Sequence, residues 1–113
     1  MSTTIKFHVQ GSAQDPYIVT FTLDDNVLTA FCTCPAGENG TYCKHRVNIL
    51  QGISKGIVSG NTDEVQTILS WLPGTPLESA INAYKTAEKN YDKARKELTS
   101  AKHRLVVALY NRN

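Results

Sequence analysis

Residues 32–45 read Cys32-Thr33-Cys34-Pro35-Ala36-Gly37-Glu38-Asn39-Gly40-Thr41-Tyr42-Cys43-Lys44-His45, and this stretch decides how the rest of the chain is arranged. Two pairs of soft or borderline ligands, Cys32 with Cys34 and Cys43 with His45, flank a spacer of eight residues that holds one proline and two glycines. Zinc takes four tetrahedral thiolate and imidazole ligands, and a flexible loop lets two such pairs close around it. On an extended strand, residues two apart project to the same side, as Cys32 and Cys34 must. Within a regular helix Cys43 and His45 would lie about 200° apart, so Cys43 belongs at or before a helix start. One structural zinc ion per chain is expected, held by Cys32, Cys34, Cys43 and His45. A set of merely buried cysteines beside a hydrogen-bonded histidine would not explain two tight pairs. A Cys32/Cys34 redox pair is disfavoured because the C-x-C bridge is tight and the C-x-x-C spacing is missing.

Working outward, the residues before Cys32 alternate with a period of two: Ile5, Phe7 and Val9, then Tyr17, Val19, Phe21 and Leu23, then Val27, Thr29 and Phe31. Gly11–Pro16 and Asp24-Asp25-Asn26 are turn-forming and short, which predicts three strands in an antiparallel meander. After Cys43 the spacing of Val47, Leu50, Ile53 and Ile57 predicts one helix, which Gly52 and Gly56 weaken and can end early. Asn61 and Glu64 resemble a capping box for a second helix bearing Val65, Ile68, Leu69 and Leu72, which ends at Pro73-Gly74.

Thr75-Pro76-Leu77-Glu78 marks the clearest helix start, with a cap, a proline at the first position and a glutamate to complete the box. Beyond it Leu77, Tyr84, Tyr91, Leu98 and Leu105 recur every seven residues, with Ala80, Ala87, Ala94, Ala101 and Ala108 three positions later in each heptad. That is an a/d seam of the coiled-coil kind. A helix reaching Tyr110 would be ~52 Å long, beyond the ~30 Å of a small domain, so it is expected to project or find a partner.

The fold class is therefore α+β: a three-stranded antiparallel meander with a zinc knuckle, two short helices and one long C-terminal helix. Residues 1–74 form the zinc-binding domain and residues 75–113 the long helix. With 113 residues there is no room for a second full domain. No apolar run approaches the ~20 residues of a membrane span, and the first ten residues lack the apolar core of a secretory signal, so a cytoplasmic protein with no membrane partner is expected.

The formal net charge of +2 is small but unevenly spread. Residues 1–42 hold Lys6 against four acids, residues 43–60 hold Lys44, Arg46 and Lys55 with no acid, and residues from 77 on hold eight basic against four acidic side chains. If the first helix ran on, Lys44, Asn48, Gln51 and Lys55 would share one face, where lysines suit phosphate and amides suit base edges. A solvated polar face is the plainer reading of the same pattern.

The stretch CTCPAGENGTYCKH resembles the SWIM-type zinc finger, whose pattern is C-x-C, a variable spacer, then C-x-H. The region from Tyr17 to about Gly52 is similar to that family's β-β-α core. The resemblance implies zinc on Cys32, Cys34, Cys43 and His45 in a module that binds DNA or other proteins. It does not extend to the C-terminal helix.

A site with four protein ligands leaves no position for water or substrate, so a non-catalytic module is expected rather than an enzyme. The deaminase arrangement of H-x-E with P-C-x-x-C is also absent from the sequence. Two classes of partner follow. One is DNA or RNA, contacted through Lys44, Arg46, Asn48, Gln51 and Lys55. The other is protein, the chain acting as an adaptor that forms a homodimer through its C-terminal helix.

Overall fold

A computed structural model describes residues 2–111; positions 1, 112 and 113 of the two expected segments lie outside them. The chain order is β1 (Ser2–Val9), β2 (Tyr17–Asp24), β3 (Val27–Cys32), α1 (Pro35–Glu38), α2 (Lys44–Leu50), α3 (Glu64–Trp71) and α4 (Pro76–Leu109). The strands form one antiparallel sheet in the order β1-β2-β3, the expected meander.

Asp25 and Asn26 both have positive φ, 47° and 70°, and they join Asp24 to its pairing partner Val27. A two-residue loop with both central residues left-handed matches the right-handed twist of the strands it connects. This turn fixes the phase of β3. Leu28 faces Leu23, Ala30 faces Phe21 and Cys32 faces Val19, so Leu28 and Cys32 point into the core. The alternation read from the sequence places Val27, Thr29 and Phe31 together as the apolar set, but Val27 and Phe31 are 49% and 50% exposed. A shift of one residue inverts every side chain of a strand, and the pairing across the turn, rather than apolar content, decides it.

The core is built from one sheet face and the helices laid on it: Ile5, Phe7, Val9, Val19, Phe21 and Leu28 against Ile49, Leu50, Val65, Ile68, Leu72 and Ile81. Phe7 and Phe21 meet edge to face, centroids 5.9 Å apart and planes at 82°. Beyond α2 the chain returns to the free edge of β1. Gly56 O accepts from Gln10 N at 2.8 Å, and Val58 N donates to His8 O at 2.8 Å. That return covers an edge that would otherwise present unpaired backbone groups.

Three helix expectations are altered by the structure. Helix α2 stops at Leu50, with Gly52 at φ 84° just beyond it, so Ile53, Lys55 and Ile57 lie on the returning loop and not on the helix. Gly52 weakens a helix and supplies the left-handed turn that ends one. The spacer, expected to be irregular, contains the single turn α1, which adds to the two expected short helices α2 and α3. The anticipated capping boxes are rearranged. The Asn61 amide donates to Lys6 O at 2.9 Å and to Glu64 Oε1 at 3.0 Å, tying α3 to β1. Before α4, Glu78 Oε1 accepts from Gly74 N at 3.1 Å, while the buried Thr75 hydroxyl donates backwards to Leu72 O at 2.7 Å.

The chain divides into two compact units between Ile81 and Asn82. In the second, the described residues from 82 on are exposed except the half-buried Tyr84. Among the described residues no helix is long and apolar enough to cross a membrane.

Candidate metal centre and the adjoining cleft

The four predicted ligands come together. Cys32 ends β3, Cys34 is the N-cap of α1, Cys43 is the N-cap of α2, and His45 lies in the first turn of α2. Cys43 has extended dihedrals, φ −137° and ψ 116°, which places it before the helix, as the angular argument required. The ligand atoms all lie within 4.8 Å of one another. Sγ of Cys34 is 3.4 Å from Sγ of Cys43, and His45 Nδ1 is 3.6 Å from Cys43 Sγ and 3.8 Å from Cys32 Sγ. Ligands at ~2.3 Å around tetrahedral zinc are separated by ~3.8 Å, so the spacings fit one zinc ion.

Local backbone prepares the sulfurs for negative charge. Cys34 N donates to Cys32 Sγ at 3.5 Å, and Gly37 N donates to Cys34 Sγ at 3.3 Å. Burial pushes the Cys32 thiol up to about 12, a cost that ligation overrides because a coordinated thiol is deprotonated outright. Burial acts the same way on Cys43, but the backbone N–H of Arg46 and its hydrogen bonds with Cys34 and Cys32 outweigh it and hold that thiol below its usual value. Burial, and secondarily the charge on Lys44, lowers His45, which favours the neutral imidazole that binds metal.

Residues that bind no metal, inside the motif and beyond it, hold this arrangement, and their part was not visible in the sequence. Gly37 packs its backbone onto Cys32; a methyl group there would overlap the Cys32 carbonyl and lie 2.8 Å from its Cβ. Its negative φ means that close approach, not a left-handed turn, demands glycine. Gly11 is similarly confined, since a Cβ would lie 2.5 Å from the Tyr17 ring and 3.3 Å from His45 Nε2. The Tyr17 ring stands 5.1 Å from the His45 ring. Thr33, between the first two ligands, donates its N–H to Ile18 O at 3.1 Å and accepts from Ile18 N at 2.9 Å, locking that pair to the sheet.

Residues 7–51 match the family model of the SWIM zinc finger. The matched segment begins in β1, contains the whole ligand set and ends at Gln51, the C-cap of α2. Comparison with curated proteins and with solved structures gives no match. The fold, the donor set and the SWIM match agree on one structural zinc held by Cys32, Cys34, Cys43 and His45. When bound, the ion would tie the end of β3 to the start of α2.

Beside the candidate metal site lies a cleft of about 430 Å³, lined by Val9, Gln10, Gly11, Ser12, Lys44, His45, Asn48, Ile49, Ile53, Lys55 and Gly56. Of the residues named from sequence for nucleic acid, Lys44, Asn48 and Lys55 share this cleft, Lys55 arriving from the returning loop. Gln51 caps α2 and does not line it. Arg46 points elsewhere: its guanidinium donates to Thr41 O at 2.6 Å and to Ala30 O at 3.3 Å, pinning the spacer to β3.

Proposed function

We propose that the chain is a non-catalytic binding module, closed by a structural zinc, that holds nucleic acid in the cleft beside α2. The observation that carries this reading is the composition of the cleft. Two lysines, the Asn48 amide and the Ser12 hydroxyl belong to its lining, the Gln10 amide N–H turns back to Ala13 O at 2.9 Å, and no acidic side chain lines it. Lysines neutralise phosphate, while amides and hydroxyls position the backbone or meet base edges. The zinc has four protein ligands, so its part is to hold the walls in place rather than to activate water. With seven residues, α2 spans only two turns, which suits contact with the backbone better than a long recognition helix laid in a groove.

The test is fluorescence anisotropy with labelled DNA and RNA oligonucleotides, single- and double-stranded, over a range of salt. Binding should weaken with salt at ~0.9 per neutralised phosphate on duplex DNA and ~0.7 on single strands. Replacing Lys44 and Lys55 together by alanine should reduce that slope by roughly one to two units. No binding by the zinc-loaded protein in dilute salt would overturn the reading and leave the adaptor class, a protein partner engaged through α4.

A further inference from the structure

We propose that α4 pairs antiparallel with α4 of a second copy of this chain, about a two-fold axis that crosses the helix between Asp92 and Lys93. The proposal rests on the composition of one face of a single helix and is independent of any nucleic-acid ligand.

Large residues of the seam are exposed in the chain taken alone: Tyr91 by 62%, Leu98 by 55% and Leu105 by 60%. They keep strict seven-residue spacing with the alanines of the seam. A helix that merely covers a domain needs a broad stripe near a period of 3.6. A strict heptad drifts ~20° per repeat on a straight helix and serves a supercoiled partner.

Side-chain volume decides the orientation. Parallel pairing in register would put Tyr84 and Tyr91 against their own copies and alternate such layers with layers of alanine alone. The axes would then have to be far apart and close together by turns. Antiparallel pairing sets one large residue against one alanine in every layer: Tyr84 on the partner's Ala101, Tyr91 on the partner's Ala94, Leu98 on the partner's Ala87 and Leu105 on the partner's Ala80. Layers that each pair one large residue with one alanine permit a more uniform, close approach of ~8 Å between axes.

Charge decides the register. Glu88, Arg95 and Lys102 succeed one another on one flank of the seam, with Asn90, Glu97 and Arg104 on the other. With the axis between Asp92 and Lys93, Glu88 lies two residues in height from the partner's Arg95 and five from the partner's Lys102, Arg95 lies two from the partner's Glu88 and five from its own copy, and Glu97 faces the partner's Asn90. Moving one helix by a heptad in one direction would set Arg95 and Glu97 each against its own copy at the two-residue spacing, and in the other direction Glu88 against its own copy. In the single chain these groups make contacts within their own helix, the Tyr84 hydroxyl donating to Glu88 at 2.7 Å and Arg95 pairing with Asp92 at 3.8 Å, and the exposed Arg95 pair is weak enough to exchange for a partner's carboxylate. Charges flanking an a/d seam choose partner and orientation more than they add affinity. The pairing is isologous and therefore closes at two copies.

Light scattering on the zinc-loaded chain without nucleic acid, with three variants, tests this. The wild type should show a doubled mass at tens of micromolar, and Ala94→Glu should return it to the single-chain mass with zinc content unchanged. Glu88→Arg should weaken dimerisation by about tenfold, since it turns two attractive sets into repulsive ones. Glu97→Lys should change it little. A parallel dimer would give the reverse, because there Glu97 approaches the partner's Lys102 and Glu88 meets no charge. A single-chain mass for the wild type, or a dimer weakened by Glu97→Lys but not by Glu88→Arg, would overturn the proposal.

Discussion

Gly37 shows how much of a metal site is carried by residues that bind no metal. Its N–H supports Cys34 Sγ, and its bare Cα lets α1 lie against Cys32. Gly37→Ala forces a methyl into occupied space, for which overpacking typically costs about 1–3 kcal/mol. A lowered melting temperature and faster loss of zinc to a chelator are expected. Gly40 makes the contrast. It has φ 72°, and a Cβ placed there would meet nothing within 4 Å, so Gly40→Asn should melt close to the wild type, asparagine being tolerant of that conformation. Equal sensitivity at the two positions would contradict the close-packing account of Gly37. The four ligands were legible in the sequence because ligand chemistry restricts residue type and spacing. Gly37 and Arg46 were not, because a close backbone approach and a guanidinium bound to two carbonyls leave no pattern in a single chain.

At the scale of elements, what could be read was the kind of segment, and what could not was its phase or its end. The period of two before Cys32 and the heptads after Pro76 identify strands and the long helix without tertiary information. In β3, apolar residues occupy both faces, Val27 and Phe31 on one and Leu28 and Cys32 on the other, so alternation alone does not choose. The two-residue turn at Asp25-Asn26 does. This assignment predicts that Leu28→Ala costs ~2–5 kcal/mol by leaving a cavity, whereas Phe31→Ala, on the half-exposed face, costs well under that range. Urea unfolding of both variants measures the difference, and a larger loss at Phe31 would contradict the register. The end of helix α2 is ambiguous for a related reason: the apolar spacing of Ile53 and Ile57 continues past Gly52, but there it serves a loop that returns to β1. That return carries Lys55 to the cleft that Lys44 and Asn48 line, a juxtaposition made by tertiary structure rather than by a helix face.

For the molecule as a whole, the central claim is that zinc closes a small core. The sheet and short helices bury a modest set of apolar side chains, and domains of this size commonly need a metal or a disulfide to supplement the core. All three cysteines are free thiols gathered at one point, so the cross-link available is the metal. Structural zinc in finger peptides contributes apparent free energies of ~10–16 kcal/mol at neutral pH, enough to decide whether such a unit folds. Cys43→Ser should therefore lose the ion and unfold the junction of β3 with α2, seen as loss of amide protection around both. The most direct measurement is native mass spectrometry of the purified, folded chain. The account predicts one zinc ion per chain in the wild type and none in Cys43→Ser; folded wild-type chains at the metal-free mass would contradict it.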